Sequence, residues 1–226
     1  FARFSSLSHR MFGLFECICV QSEEYRQRFL AIGVPEDRLV VTGNLKFDAS
    51  VPVMSDDAKA SFRKKLGLNP NDRIITAGST HNPEEQLILD AIRPLLDANP
   101  AVKLLVVPRH PERFNEVYTI LKTQGVPCAR VSSDTPLPAT ARVILVDAMG
   151  VLKECYQVSE LAIVAGSFTE AVGGHNILEP CHYGVPLIFG PQMHSQPELE
   201  RLVLNAQAGI QTSAQELGRT LETLLH

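Results

Sequence analysis

A glycine-rich turn and a predicted helix start lie close together in the second half of this chain. An apolar run over 161–165 leads into Gly166-Ser167, and Gly173-Gly174-His175-Asn176 then opens a predicted helix. Glycine lets backbone N–H groups approach a ligand closely, and a helix start adds unpaired donors and a positive dipole end. The pattern predicts a nucleotide site. Its candidate contacts to a phosphate or sugar are Ser167, Gly173, Gly174 and His175.

Glu179 lies about one turn into that predicted helix, so its side chain reaches the same region as His175. A carboxylate at this place is suited to binding a ribose diol, as in other nucleotide folds. A favourable interaction with the helix dipole is the alternative role for Glu179. For His175, a structural hydrogen bond is nearly as well supported as a contact to phosphate.

A second polar loop, Gly78-Ser79-Thr80-His81-Asn82, follows the apolar run that ends at Ala77. Its candidate contacts to a phosphate or sugar are Ser79, Thr80 and His81. Ordinary capping of the following helix explains the two hydroxyl side chains equally well.

A third loop places cations at the end of the apolar run over 103–107. It reads Pro108-Arg109-His110-Pro111-Glu112-Arg113. The planar guanidinium fork donates two parallel hydrogen bonds to a phosphate or carboxylate. Because Arg109 comes almost directly after a buried run, a binding role is favoured for it, and His110 is a further candidate contact. For Arg113, a solvated surface position is equally well supported.

A fourth loop, after the run over 143–146, contains Met149 and Gly150. Methionine is suited to lie against a flat base, and glycine permits close backbone approach. A methionine at a helix start is more often part of the core, so this loop alone is a weak signal.

Composition and motif content exclude several classes of protein. The net charge of −4 and the pI near 6.0 argue against a general nucleic-acid binder, which normally carries a basic face. No apolar run approaches the ~20 residues of a membrane-spanning helix. The spacings typical of a catalytic metal site, of a Walker A loop and of a dinucleotide-binding turn are absent. The five scattered cysteines predict free thiols in a reducing compartment.

Short apolar runs alternate with amphipathic segments from residue 55 onward. This alternation predicts an α/β fold with a Rossmann-like, doubly wound parallel sheet, in which ligands bind beyond the carboxyl ends of the strands. The predicted strands cover 74–77, 103–107, 129–131, 143–146, 161–165 and 187–189. The predicted helices cover 56–66, 83–98, 111–124, 151–158, 176–183 and 196–205, with a last one from 214. Upstream, strands over 18–20 and 40–42 flank a helix over 23–33, and a domain boundary is predicted within 43–54.

Taken together, these motifs resemble the Kdo transferase family, whose enzymes add 3-deoxy-D-manno-oct-2-ulosonic acid (Kdo) to lipid A precursors. The similarity covers nearly all 226 residues. The string Pro-Arg-His-Pro-Glu-Arg-Phe over 108–114 is its most specific element. The other elements are Gly-Asn-Leu-Lys-Phe-Asp over 43–48, Ser-Thr-His over 79–81, Met149-Gly150 and the stretch over 173–180. Many GT-B glycosyltransferases share the last of these.

The resemblance implies that residues 55–226 are the C-terminal, donor-binding domain of a GT-B glycosyltransferase. Residues 44–54 would be a linker, and residues 1–43 the end of an N-terminal acceptor domain. Lys46 is a further candidate contact to phosphate or sugar. The family often has an acidic residue where Val151 stands, so only a backbone contact is implied there. By motif, the CMP contacts fall on Pro108, Arg109, Met149, Gly150, Val151, Asn176, Ile177, Leu178 and Glu179.

The resemblance also implies a metal-independent, inverting enzyme of lipopolysaccharide biosynthesis that uses CMP-Kdo and no cofactor. Its acceptor would be a lipid A precursor, lipid IVA, at the cytoplasmic face of the Gram-negative inner membrane. Departure of CMP loads negative charge onto its phosphate, and Arg109, Ser167 and the backbone of Gly173 and Gly174 are suited to stabilise that charge.

The general base of this family is a glutamate of the N-terminal half. Because the chain begins at Phe1 rather than Met, it is expected to be a soluble part of a longer protein. Since that part would lack the glutamate, it is expected to bind CMP or CMP-Kdo without transferring sugar. The segment over 1–15 is expected to pack as a helix rather than to contact a membrane. Two alternatives stay open: a UDP-sugar enzyme of the GT-B fold, such as a 2-epimerase, and a nucleotide-binding module without chemistry.

Overall fold

The chain divides by its internal contacts into a smaller unit, Phe1–Pro52, and a larger unit, Val53–His226. The structure is a computed structural model and describes residues 5–44 and 51–225. The division falls inside the segment over 44–54 that the sequence predicts as a linker. The assignment of the smaller unit to an acceptor domain stays a prediction.

The smaller unit contains a two-stranded parallel sheet and two helices. Its elements are α1 (Ser5–Phe12), β1 (Ile18–Val20), α2 (Glu23–Ala31), a 3-10 helix (Glu36–Arg38) and β2 (Leu39–Val41). The Ser22 hydroxyl caps α2 by accepting a hydrogen bond from the Tyr25 N–H at 3.4 Å. The two strands and α2 lie where the sequence predicts them, whereas the 3-10 helix is an addition.

The larger unit alternates strands and helices as predicted. Its strands are β3 (Arg73–Thr80), β4 (Val102–Pro108), β5 (Cys128–Arg130), β6 (Val143–Leu145), β7 (Leu161–Val164), β8 (Leu187–Phe189) and β9 (Gly209–Gln211). Its helices are α3 (Asp56–Lys65), α4 (Glu84–Ala98), α5 (Phe114–Thr123), α6 (Leu152–Gln157), α7 (Leu178–Cys181), α8 (Pro197–Asn205) and α9 (Leu217–Leu225), with a 3-10 helix over Pro111–Arg113.

The seven strands form one parallel sheet in the order β5-β6-β4-β3-β7-β8-β9. From β3 the chain first builds one side of the sheet, and after β6 it crosses to β7 and builds the other side. β3 and β7 are therefore the neighbours at which the winding reverses. In a doubly wound sheet, the crevice beyond the carboxyl ends of such a pair is the usual ligand site. The predicted fold class is confirmed.

The central strands are buried on both faces, which explains why their sequences are continuous apolar runs. One apolar cluster, which includes Ile75, Leu104 and Ile163, packs against α4, α5 and α9. A second includes Leu105 and Ile144, and a third includes Val164 and Phe189. These clusters hold the strand ends, and hence the loops that follow them, in fixed positions.

Two elements differ from the sequence prediction. Strand β9 was not predicted, and its central residue, Ile210, is exposed at the edge of the sheet. Helix α7 has four residues, Leu178–Cys181, where a helix over 176–183 was predicted. Residues 173–176 form an irregular segment that precedes this short helix.

Candidate functional site

A cleft of about 610 Å³ opens beyond the carboxyl ends of the central strands, within the larger unit. It lies on the side of the sheet that the sequence predicts, and at the point where the winding of the sheet reverses. Its wall combines backbone, apolar and charged groups. The lining residues are Ser79, Val107, Pro108, Arg109, Ala148, Met149, Gly150, Leu152, Lys153, Tyr156, Val164, His175, Asn176, Glu179 and Gln196.

Ser79 reaches this cleft because β3 is irregular at its end. The parallel pairing with β4 shifts between Gly78 and Thr80, and Ser79 adopts a left-handed φ of 58°. Such irregularities re-aim a side chain at the edge of a site. Thr80, by contrast, is fully buried, and its hydroxyl donates to Glu85 Oε1 at 2.9 Å. Of the two hydroxyls predicted here, only that of Ser79 lies in the cleft wall.

Gly78 permits β3 to pass close to α6. A Cβ at this position would overlap the Tyr156 hydroxyl. Tyr156 is itself almost fully buried and forms part of the cleft wall, which the sequence analysis did not anticipate. Tyr156 lies one helical turn into α6, which begins directly after the loop that contains Met149 and Gly150. This spacing from a candidate loop is the sequence signal that could have indicated it.

The two arginines of the loop after β4 have different surroundings. Arg109 is anchored by its backbone N–H, which donates to Thr80 O at 3.1 Å, and its side chain is exposed in the cleft. Its guanidinium forms no hydrogen bond or ion pair with any other residue in the part of the chain that the structure describes. Pro108 is buried at the end of β4, and His110 lies outside the cleft wall at 3.6 Å from Glu112.

Arg113 is instead held by a buried carboxylate. It donates to Glu85 Oε1 at 2.7 Å and to Glu85 Oε2 at 3.2 Å, and also to Glu116 at 3.1 Å. Glu85 is 1% exposed, and such a paired fork-to-carboxylate contact is strong and directional. Arg113 is thus part of the scaffold, which is neither the binding role nor the solvated surface position that the sequence left open.

Glu84, at the start of α4, joins two of the loops that surround the cleft. Its Oε2 accepts from the N–H groups of His81 at 3.0 Å and Gly166 at 2.7 Å, and its Oε1 accepts from the Phe168 N–H at 3.0 Å. Burial raises the pKa of Glu84, and these three backbone donors act in the opposite direction. The carboxylate therefore ties the loop after β3 to the loop after β7.

Three histidines lie together beside Arg109. His81 Nε2 and His175 Nε2 are 2.8 Å apart, and the His81 ring meets the His110 ring edge to face with centroids 5.1 Å apart. Burial, followed by the neighbouring His81, lowers the pKa of His175 to about 4. Burial and the nearby His110 also lower the pKa of His81. Both imidazoles are therefore neutral at pH 7.

Gly173 and Gly174 serve the packing of the loop. Both adopt left-handed backbone conformations, with φ of 80° and 92°. A Cβ at Gly173 would overlap the His194 ring, and one at Gly174 would overlap Met193 Sδ. The Gly174 N–H already donates to Gly166 O at 2.7 Å. These glycines therefore let the loop lie directly on residues 193–195.

Ser167 has a similar internal role. It is fully buried, its hydroxyl donates to Val164 O at 2.6 Å, and the same oxygen accepts from the Gly190 N–H at 2.7 Å. Its hydroxyl is thus used between the loops after β7 and β8, and neither Ser167, Gly173 nor Gly174 belongs to the cleft wall. The phosphate contacts predicted for these three residues have no support in the geometry.

The stretch Asn176-Ile177-Leu178-Glu179 presents its first and last residues to the cleft. Asn176 Oδ1 accepts from the Leu178 N–H at 3.1 Å, while Ile177 is fully buried in the apolar cluster around β7 and β8 and Leu178 packs against it. Glu179 lies in the cleft wall, and burial raises its pKa. Arg109 opposes that shift, which indicates that the two charged groups share the site.

Met149 and Gly150 also line the cleft, and the Met149 side chain is 57% exposed. Val151 is half-buried and immediately precedes α6. Two polar residues of the wall, Lys153 and Gln196, were not anticipated from the sequence. Lys46 falls in 45–50, outside the described residues.

A metal-binding cluster and a membrane-spanning helix are both absent from the residues that the structure describes. Among residues 5–44 and 51–225, no group of three or more His, Cys, Asp or Glu side chains is arranged to hold a metal ion. Over the same ranges, no helix combines the length and apolar character needed to cross a membrane.

Comparison with known proteins gives concordant matches. The profile of a family described as 3-deoxy-D-manno-octulosonic-acid transferase (kdotransferase) matches residues 1–49. The 3-deoxy-D-manno-octulosonic acid transferase of Chlamydia muridarum is 36% identical over 225 residues, covering 100% of this chain and 51% of that protein. The enzyme of the same name from Haemophilus influenzae is 36% identical over 219 residues, covering 96% of this chain and 50% of that protein. The chain thus spans about half the length of these relatives.

Two solved structures resemble the fold. The C-terminal CMP-Kdo binding domain of WaaA from Acinetobacter baumannii has 34% sequence identity and a TM-score of 0.68, over 75% of this chain and 86% of that domain. A UDP-GlcNAc 2-epimerase from Neisseria meningitidis has 13% identity and a TM-score of 0.58, over 95% of this chain and 53% of that one. The second likeness concerns the fold alone.

Proposed function

This chain belongs to the Kdo transferase family, and we propose that its larger unit binds CMP-Kdo, the donor of a Kdo transfer reaction in lipopolysaccharide biosynthesis. The observation that carries the proposal is the free guanidinium of Arg109 in the cleft beyond the sheet, which the Glu179 carboxylate also lines. A cation and a carboxylate in one cleft suit a ligand that has both a phosphate and a ribose diol.

The proposed donor places its phosphate against Arg109. The neighbouring cation, Arg113, is already held by Glu85, so Arg109 is the arginine of this loop that is available to an anion. Its backbone is fixed to β3 through Thr80 O, which limits the entropy lost when the side chain orders on a ligand. Ser79, in the same wall, is suited to donate a second hydrogen bond.

Recognition of the nucleoside is assigned to the other walls of the cleft. Glu179 would accept from the ribose hydroxyls, and the exposed Met149 side chain would lie against the base. The backbone of Gly150 and Val151 and the Asn176 side chain complete this part of the site. Ile177 and Leu178 act through the packing that holds Asn176 and Glu179 in place.

In the proposed reaction, an acceptor hydroxyl oxygen bonds to the anomeric carbon of Kdo while the bond from that carbon to the phosphate oxygen breaks. CMP leaves with the electron pair, and a general base takes the hydroxyl proton. Arg109 stabilises the charge that gathers on the CMP phosphate, as preorganised donors do. The reaction proceeds with inversion, without a metal, and the acceptor is a lipid A precursor at the inner membrane.

The general base is proposed to lie outside this chain, in the acceptor half of the longer enzyme. The isolated chain is accordingly expected to bind the donor without transferring Kdo. Detectable transfer to a lipid A precursor by residues 1–226 alone would refute this part of the proposal.

Isothermal titration with CMP and with UMP tests the donor assignment. The wild-type chain is expected to prefer CMP, and Arg109→Ala is expected to weaken CMP binding roughly 10- to 100-fold, as loss of a charge-assisted hydrogen bond does. Arg219→Ala, an exposed arginine of α9 outside the cleft, is the matched control and should bind CMP like the wild type. Tighter UMP binding would favour a UDP-sugar enzyme. Binding of neither nucleotide by folded protein would overturn the proposal.

A further inference from the structure

The contact between His81 and His175 constrains the protons of both rings. Their Nε2 atoms are 2.8 Å apart, which is a hydrogen-bond distance, and the ring planes differ by 17° with centroids 5.0 Å apart. A neutral imidazole carries one N–H and one acceptor nitrogen. One ring must therefore donate from Nε2 and the other must accept at Nε2, so that its own proton lies on Nδ1.

The scaffold holds this pair in place from both sides. Glu84 accepts from the backbone N–H of His81 and from that of Gly166. The His175 ring lies against Gly166 so closely that a Cβ there would be 2.5 Å from His175 Cδ2. The same buried carboxylate thus fixes the residue that bears one ring and the surface on which the other ring lies.

The surroundings of the pair keep both rings neutral at pH 7. Arg109, Arg113 and Glu85 lie near His81, and Arg109 and His110 lie near His175. Burial is the largest cause of the lowered pKa of both rings. The pair consequently shares one proton at the Nε2 contact, and each tautomer of one ring dictates that of the other.

His175 lies in the cleft wall, whereas His81 is not among the lining residues and contacts His175 Nε2. Within the described ranges, His175 Nδ1 forms no hydrogen bond with the protein. An anionic oxygen is repelled by a lone pair on that nitrogen and attracted by an N–H. A bound phosphate or carboxylate would therefore favour the arrangement in which His81 donates from Nε2 and His175 carries its proton on Nδ1.

We propose that His81 is a positioning residue that donates to His175 Nε2 and thereby makes His175 present an Nδ1–H to an anionic oxygen of the donor. This inference rests on the proposed function, because that function supplies the anion. The oxygen belongs either to the nucleotide phosphate or to the carboxylate of the sugar, and both accept the same hydrogen bond.

Nitrogen-15 NMR of the histidine rings tests the proposal in the wild-type chain, without any substitution. With CMP-Kdo bound, which carries both candidate oxygens, His81 is expected as the Nε2–H tautomer and His175 as the Nδ1–H tautomer; the CMP complex should show the same pair only if the oxygen belongs to the phosphate. The reverse pair of tautomers in the complex would overturn the inference while leaving the proposed function intact. Failure of the chain to bind either ligand would instead remove the proposed function, and the inference with it.

Variants then measure the effect on affinity. His81→Leu and His175→Leu are each expected to weaken binding about tenfold, and the double variant should be no weaker than either single one, since the two rings act as a unit. His81→Gln, whose amide N–H₂ lies near the Nε2 position, is expected to stay within about threefold of the wild type. The inference would be overturned if the affinity losses of the two single variants added fully in the double variant, or if His81→Gln bound as weakly as His81→Leu.

The choice of ligand identifies the oxygen. If the leucine variants lose affinity for CMP but not for cytidine, the contact is to the phosphate. If they lose affinity only for CMP-Kdo, the contact is to the sugar carboxylate. An equal loss with cytidine would mean that the pair is only structural and would overturn the proposal. His9→Gln, in the smaller unit, is the control and should bind all three ligands like the wild type.

Discussion

Replacing Glu84 by glutamine tests whether one buried carboxylate holds together the loops that form the cleft. The side chain is fully buried and accepts three backbone hydrogen bonds of 2.7 to 3.0 Å. Glutamine has the same shape but a single acceptor oxygen. If that oxygen takes the place of Oε2, the new amide N–H₂ faces the Phe168 N–H, and two donors meet without an acceptor.

The magnitude follows from these contacts. A buried donor left without a partner costs about 1–3 kcal/mol, and the two bonds that remain become neutral and therefore weaker. The substitution also removes a buried charge, whose unfavourable burial is visible in the raised pKa of Glu84. We expect a net loss of about 1–3 kcal/mol, which for a domain of this size lowers the Tm by roughly 2–10 °C.

Urea unfolding at pH 7 measures this change, and titration with CMP measures its effect on the site. CMP affinity should fall as well, because the Phe168 N–H loses its acceptor and the bonds from His81 and Gly166 become weaker. Glu112→Gln, at an exposed carboxylate of the loop after β4, is the control and should change the free energy of unfolding by less than about 0.5 kcal/mol. A Glu84→Gln variant that matches the wild type in stability and CMP affinity would refute the inference that Glu84 holds the two loops together.

Two further substitutions test other parts of the cleft. Burial raises the pKa of Glu179, so its ionised form disfavours folding. Glu179→Gln should therefore be more stable than the wild type at pH 7 and should bind CMP more weakly. Its stability advantage should vanish as the pH falls below ~4.3, the ordinary pKa of a glutamate. Equal stability of the two proteins across that pH range in urea titrations would contradict this. Gly78→Ala should lower the free energy of unfolding by about 1–3 kcal/mol, because its Cβ would overlap the Tyr156 hydroxyl. Tyr156→Phe should be less destabilising in the Gly78→Ala protein than in the wild type; additive losses in thermal unfolding would argue against the overlap.

The loops that build the cleft could be predicted because their signals are local. Buried parallel strands are continuous apolar runs, and each run here is followed by glycine, proline or a polar residue, as at Gly78, Pro108 and Asp147, so strand ends and ligand-side loops follow from the sequence. Strand β9 could not be predicted from a local apolar run, because it is three residues long, includes Gly209 and exposes Ile210. Its pairing with β8 is a long-range contact that no local pattern encodes.

The roles of individual polar residues could not be predicted in the same way. Ser167 and Gly174 are residue types that suit phosphate, yet their groups bond to Val164, Gly190 and Gly166. Protein partners and a ligand compete for the same donors, and only tertiary geometry decides which partner is within reach. The role of Glu84 could not be predicted for the same reason. An acidic residue in a first helical turn suggests only an interaction with the helix dipole, whereas the structure shows its carboxylate bonded to two loops.

Arg109 and Arg113 show how this competition defines the site. Both follow β4, both carry the same charge, and both suit an anion equally well by type. Glu85 is buried at the start of α4, where an unpaired carboxylate would be costly, and Arg113 neutralises it with two hydrogen bonds. The proposed anion site is therefore defined as much by the carboxylate that holds Arg113 as by Arg109 itself, because a second unpaired guanidinium after β4 would compete with Arg109 for the same anion.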